Sequence, residues 1–277
     1  MRKKIPIIII IAAVLAFLIV GLYNELKIAS YTLRSPKVER AIRIAFLSDL
    51  HSCNYGENAQ TLVSAIERQR PDLILLGGDI FDDVLPDDNT EALLRQISGR
   101  YPCYYVTGNH EYWSGTEAFA RKMRILEENH VTRLNNEAAA VTVQGVQINI
   151  CGVNDPEAAK IGERFSFNAA LENIAQVSAN RNFTLLISHR PERIDDYAKY
   201  PFDLVLAGHA HGGQWRIPHL INGVYAPNQG VFPKYAGGMY MRGDTCMIVG
   251  RGLARESTRI PRFYNRPELV IIDIIPQ

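Results

Sequence analysis

The 277 residues contain no CxxC pair and no zinc-ribbon spacing; Cys53, Cys103, Cys151 and Cys246 stand far apart. A thiolate zinc site is thereby excluded. Cys103 and Cys151 lie in apolar runs and Cys246 borders one, as small buried hydrophobes do. Cys53 lies in an expected loop beside Asp49 and His51, where a ligand role competes with a packing role. No long basic run follows residue 4 and the formal net charge is only +1, so no nucleic-acid groove is indicated. Internal repeats and low-complexity segments are also missing. With 47% hydrophobic residues, disorder is not the expectation, and the length suffices for one large domain with a buried core.

One long uncharged apolar run is present, from Ile5 to Tyr23, behind Arg2, Lys3 and Lys4. As a helix it would be ~28 Å long, close to the ~30 Å hydrocarbon core of a bilayer. A cleaved signal peptide is the rival reading. It requires small residues before the cleavage point, and Tyr23-Asn24-Glu25-Leu26-Lys27 has none. Residues 1–25 therefore read as a membrane anchor, 26–40 as a polar linker in which Pro36 opposes a helix, and 41–277 as the folded domain. The three leading cations favour a cell-membrane, single-pass protein with its domain on the extracytoplasmic side, although Lys27, Arg34, Lys37 and Arg40 blunt that asymmetry.

Beyond Ala41 short apolar strands alternate with helical patterns, the signature of an α/β domain. Strands are expected at Ile42–Leu47, Leu73–Leu76, Cys103–Val106, Phe183–Ser188, Leu204–Ala207, Thr245–Val249 and Leu269–Ile275. Helices are expected at Thr61–Arg70, after a capping box at Asp88 and Glu91, after another at Ser114 and Glu117, and at Leu171–Val177. Val141–Ile148 reads as a hairpin turning at Gln144-Gly145.

The strands share a habit: each ends in a polar residue of a metal-ligand type. They deliver Asp49 and His51, then Asp79, then Asn109 and His110, then His189, then His209 and His211. Carboxyl ends of strands converge on the ligand site in open α/β sheets. Aspartate, asparagine and imidazole suit Mn, Fe, Zn or Co. Eight such residues, seven if one of the adjacent pair Asn109 and His110 is not a ligand, exceed one open tetrahedral site and match two adjacent metals sharing a carboxylate.

Asp49-Leu50-His51, Gly78-Asp79, Gly108-Asn109-His110-Glu111, His189 and Gly208-His209-Ala210-His211 together resemble, in order, the motif set of calcineurin-like metallophosphoesterases. Gly208–Pro218, Gly250–Leu253 and Arg266-Pro267-Glu268 further resemble a bacterial, membrane-anchored, phosphodiesterase-like subfamily. The resemblance implies a two-sheet β-sandwich flanked by helices and two divalent metal ions. Asp49, His51 and His211 would hold one metal, Asn109, His189 and His209 the other, and Asp79 both. His110 would be the catalytic histidine, acting as general acid or stabilising phosphoryl oxygens. A metal-bridging hydroxide would attack a phosphodiester, phosphomonoester or pyrophosphate bond.

An anchor points to membrane or envelope substrates, for example a UDP-diacylglucosamine-type lipid pyrophosphate, suggested by neighbouring families; substrate-binding residues are unassigned. The alternatives are a non-catalytic scaffold of the same fold, against which the intact ligand set stands, and a nuclease, which the neutral charge opposes. Asp82, Asp83, Asp87 and Asp88 read as a solvated loop, with one of them orienting a ligand as the rival reading, His130 as a helix cap or surface residue and His219 as an incidental loop residue. Glu111 divides between ligand orientation and no role, and Arg251 between substrate phosphate and structural pairing.

Overall fold

The computed structural model describes residues 4–255 and 260–277. Its elements are α1 (Lys4–Gly21), β1 (Lys27–Ser35), β2 (Ile42–Leu47), α2 (Gln60–Gln69), β3 (Leu73–Gly77), α3 (Asp88–Ile97), β4 (Cys103–Val106), α4 (Asn109–Trp113), α5 (Thr116–Glu128), β5 (Thr132–Arg133), β6 (Glu137–Val143), β7 (Val146–Gly152), α6 (Phe167–Ala175), β8 (Phe183–Ile187), α7 (Ile194–Tyr197), β9 (Leu204–Ala207), β10 (Tyr225–Ala226), β11 (Gly230–Val231), β12 (Gly238–Arg242), β13 (Thr245–Val249) and β14 (Glu268–Pro276).

Two six-stranded sheets form, in the orders β1-β14-β2-β3-β4-β5 and β12-β13-β9-β8-β7-β6. Successive strand side chains point to opposite faces. Ile44, Phe46, Leu73 and Leu75 of the first sheet therefore meet Ile148, Ile150, Leu185, Leu204 and Leu206 of the second in one buried cluster. Their neighbours Ala45, Leu47, Ile74 and Leu76 turn outward beneath α2, α3 and α5. Leu186, Val205 and Met247 do the same beneath α6 and α7. Strands covered on both faces need near-continuous apolar sequence, which is why these strands stand where the sequence places them. The observed architecture is the expected α/β sandwich flanked by helices.

The expected linker at 26–40 is instead largely strand. β1 pairs in parallel with β14 from Lys27↔Glu268 to Ser35↔Pro276. As an edge strand it covers the inter-sheet core through Tyr31 and Leu33 and the helix-covered face only through Ile28, so its apolar content is low. Neither expected capping box forms. Asp87 precedes α3 without a side-chain cap bond, and Glu91 accepts from Arg95 at 2.6 Å. Gly115 precedes α5, and Ser114 Oγ donates back to Glu111 O at 2.6 Å.

Among the described residues no helix is long and apolar enough to cross a membrane, so the single-pass span expected at Ile5–Tyr23 is not found in that form. Helix α1 ends at Gly21, where a later segment grips it. Tyr264 N donates to Gly21 O at 2.6 Å, and Tyr264 Oη to Phe17 O at 3.1 Å. The Phe17 ring lies 5.4 Å from that of Phe263. A Cβ on residue 21 would overlap the Phe263 ring. From Ile7 to Val20 the side chains of α1 are exposed. Arg2 and Lys3, and the side chain of Lys4, lie outside the described residues.

Candidate metal centre

Strands β2, β3 and β4 run parallel, as do β7, β8 and β9. In each sheet their carboxyl ends share one edge, and the two edges meet. The loops leaving β2 and β3 are zipped together: Asp49 N donates to Gly78 O at 3.0 Å, His51 N to Asp79 O at 2.9 Å and Ser52 N to Ile80 O at 3.1 Å. Gly78 allows the third and fourth loops to close on these, since a Cβ there would stand 2.7 Å from Gly108 N and 2.8 Å from His189 Nδ1. Asp49, His51, Asp79, His209 and His211 all have positive φ, between 46° and 64°. Non-glycine residues rarely adopt this conformation, and it concentrates at sites the surrounding fold over-determines.

Three groups of donors form, with ligand atoms in each within 4.8 Å of one another: Asp49, His51, Asp79 and His211; Asp79, His189 and His209; and, toward the mouth, His51, Asp82 and His110. The first two contain the expected carboxylate and imidazole ligands. Asp79 belongs to both. His189 Nδ1 donates to Gly77 O at 2.9 Å, leaving Nε2 facing Asp79 Oδ2 at 3.0 Å and His209 Nδ1 at 3.2 Å. His51 Nδ1 is tied to Asp82 Oδ2 at 3.0 Å, which leaves Nε2 3.7 Å from Asp79 Oδ2. Asn109, the first residue of α4, is buried. Asp49 Oδ2, His51 Nε2, Asn109 Oδ1 and His211 Nδ1 are all buried without a hydrogen-bond partner. Such orphaned atoms are expensive unless something fills the space between them.

Burial alone would push Asp79 up, but the charges of His189, His110 and His51 hold it well below the usual carboxylate range. Burial works against protonating His189, yet Asp79 and Asp49 raise it to about 10. Burial, with His189 and Arg190 beside it, keeps His209 well below the ordinary imidazole value. Burial and the charges of His51 and Arg262 do the same for His211. Ionised carboxylates and neutral imidazoles are the forms that bind divalent metals. Asp79, His209 and His211 favour these forms, whereas His189 and His51, raised despite burial by neighbouring carboxylates, and Asp49, raised by burial, would give up a proton to a metal. The orphaned oxygen and nitrogen atoms, the shared carboxylate and the absence of cysteine from both groups fit two such ions.

His110 sits at the mouth, about a quarter exposed. Its Nδ1 lies 2.5 Å from Asp83 Oδ1, and its ring is 4.3 Å from that of His51 and 4.7 Å from that of Trp113. The solvated-loop reading of Asp82 and Asp83 is therefore corrected: Asp82 is buried and holds His51, and Asp83 holds His110. Asp82 Oδ1 in turn accepts from Val84 N and Leu85 N at 2.9 and 2.8 Å, so the loop folds around it. Glu111 is also structural to the site. It accepts Asp79 N at 3.0 Å, Gly108 N at 2.7 Å, Ile80 N at 2.8 Å and Phe81 N at 3.0 Å. Cys53 instead accepts Arg255 N at 3.2 Å.

Sequence reasoning missed Arg190. It forms a buried pair with Asp155 and donates from NH1 to the Nε2 side of His209 at 2.9 Å. Asn228 Oδ1 lies 2.7 Å from the same Nε2. Its place directly after His189 was the one available signal.

Residues 42–213 match the family model of calcineurin-like phosphoesterases. An uncharacterized metallophosphoesterase of Bacillus subtilis, YkoQ, is 29% identical over 85% of this chain and 84% of its own length. The Escherichia coli phosphodiesterase YaeI is 29% identical over 84% of this chain and 82% of its own length. Among solved structures, the NAD nucleotidase of Haemophilus influenzae superposes with a TM-score of 0.56 at 17% identity, covering 76% of this chain and 45% of that larger one. That last likeness is one of fold.

Proposed function

The chain belongs to the calcineurin-like phosphoesterase family, and from that premise we propose how its own residues divide the work of a metal-dependent phosphohydrolase. Asp49, His51 and His211 would hold one divalent ion, Asn109, His189 and His209 would hold the other, and Asp79 is placed to serve both groups. The observation that carries this reading is the set of buried, unpartnered ligand atoms on Asp49, His51, Asn109 and His211 around a carboxylate common to two groups. When bound, two such ions supply Lewis acidity toward phosphoryl oxygens and a lowered pKa for water.

The protein's remaining contributions are positional. His110 Nδ1 is held by Asp83, which orients the ring and leaves Nε2 to give a proton to the departing oxygen. His110 N donates to Asp79 Oδ1 at 2.8 Å, which fixes the acid relative to the shared ligand. Most ligands are fully buried, whereas His110 and His211 are partly open, so a phosphate ester enters from their side. Water is excluded elsewhere, which strengthens each charge interaction at the reacting group.

The substrate we favour is a phosphodiester or pyrophosphate of a membrane lipid, with α1 associating the domain with a bilayer. Support comes from the exposed apolar side chains of α1 and from the short path between helix and site. Phe263 and Tyr264 grip α1, and Arg262 NH1 and Nε donate to Arg251 O and Ala254 O at 2.8 Å each. Leu253 N, between those two, donates to Asp49 O at 3.0 Å.

The test is hydrolysis of an aryl phosphodiester, an aryl monoester and a short-chain lipid pyrophosphate by the full chain in neutral detergent, metal-free and with Mn, Zn, Fe or Co. Activity should need metal and vanish in Asp79→Ala. In His110→Ala it should fall by about 10²–10⁴ with metal content unchanged. A folded, metal-loaded protein inactive on all three would leave the scaffold reading standing.

A further inference from the structure

We propose that a basic cavity at the foot of α1 binds the phosphate of an anionic membrane lipid, at a second site separate from the metal centre. The cavity measures about 560 Å³ and is lined by Lys27, Arg216, Arg251 and Tyr264, with Leu220 at its rim. A neighbouring cavity of about 350 Å³ shares Lys27, Arg251 and Tyr264 and adds Arg266 together with Val20 and Tyr23, from the end of α1 and just beyond it. Cations and the end of the exposed apolar helix α1 thus border one continuous region.

The cations here are under-neutralised. The carboxylate among them is Glu268, whose Oε1 stands 3.7 Å from both Lys27 Nζ and Arg251 Nε, beyond hydrogen-bond length. Arg251 Nε and Glu268 Oε2 are buried with no hydrogen-bond partner. Arg216 is pre-set by donating to Gly212 O at 3.0 Å and Asn222 Oδ1 at 2.6 Å. Burial and the adjacent Arg251 charge pull the Arg216 pKa down to about 10, a strain that an anion would relieve. Guanidinium groups prefer phosphate oxygens as partners.

Position selects the source of that phosphate. A headgroup seated between Arg216 and Arg251 leaves its acyl chains beside Val20 and Tyr23, and Leu220, 81% exposed, meets the same apolar layer. A free phosphate gains nothing from these neighbours. None of the cavity residues belongs to either ligand group, so the inference does not depend on the metal reading.

The experiment is calorimetric titration of the full chain in neutral detergent micelles with dioctanoyl phosphatidylglycerol, dioctanoyl phosphatidylcholine and inorganic phosphate. Mass spectrometry verifies that the lipid stays intact. Saturable binding of phosphatidylglycerol should weaken at least about tenfold, roughly 1.4 kcal/mol, in Arg216→Gln and in Arg251→Gln. Metal content should be unchanged in both, and aryl phosphodiester cleavage unchanged in Arg216→Gln, which also shows that the variants fold. Lys27→Gln, at the exposed start of β1, should weaken binding in the same direction. Equal affinity for phosphatidylcholine or inorganic phosphate, or unchanged binding in folded variants, would overturn the proposal.

Discussion

Glu111 gathers four backbone N–H groups from the loops that carry Asp79 and Asn109. A buried carboxylate accepting charge-assisted bonds is a strong local tie. Glu111→Gln replaces acceptor capacity with an amide donor facing N–H groups, so it should destabilise the fold by about 3 kcal/mol and loosen metal binding with it; denaturant melts and metal analysis check this. His189 gives a pH prediction. Its pKa in the metal-free fold is raised to about 10. The stabilisation from its pairing with Asp79 is then full below its ordinary value of 6.5 and fades as pH rises toward 10. Metal needs the unprotonated Nε2, so the extra melting temperature conferred by metal should grow over that same interval. A metal-induced shift that is flat with pH would contradict this assignment. The seven candidate ligands were legible because each follows an apolar strand within four residues. The partner Asn228 was not, and Asp82, Asp83 and Glu111 were legible only as one of two readings, because their roles depend on which distant loop faces them, and a run of aspartates looks the same in solvent as beside an imidazole.

At the scale of elements, the central strands are easily read, being apolar on both faces. β1 is not, since an edge strand covered mainly on one side resembles a polar tether. The distinction matters for truncation. Removing residues up to Leu26 leaves the nine β1–β14 pairs intact, whereas removal up to Arg40 deletes them. At ~0.2–1 kcal/mol per cross-strand pair, the second truncation should lose about 2–9 kcal/mol relative to the first. It also bares the edge of β14, whose sequence ELVIIDIIP invites intermolecular pairing. Thermal melts and light scattering of the two truncated proteins check both effects. The absent capping boxes make a related point: Asp88 and Glu91 satisfy a spacing rule, but Glu91 finds Arg95 on the exposed face.

For the whole molecule, the metal centre lies where the edges of both sheets meet, so ion binding and sandwich stability are linked. Each ion bound at a hundredfold excess over its dissociation constant should add about 2.7 kcal/mol, and a chelator should lower the melting temperature accordingly. Asp79→Ala should empty both positions, whereas His211→Ala should leave about one ion per chain, as expected for a two-metal site with one shared carboxylate; elemental analysis distinguishes the two. The placement of β1 against β14 has a further consequence, in time. Ribosomes add about 5–20 residues per second, so the strand beginning at Lys27 waits roughly 12–50 s for Glu268 and its successors to emerge. Throughout that interval the sheet has an open seat, and the apolar α1 just ahead of β1 is already made. A nascent chain that engages a bilayer early holds its waiting strand at the surface where the last strand will arrive; one that does not carries an unpaired edge through most of its own synthesis.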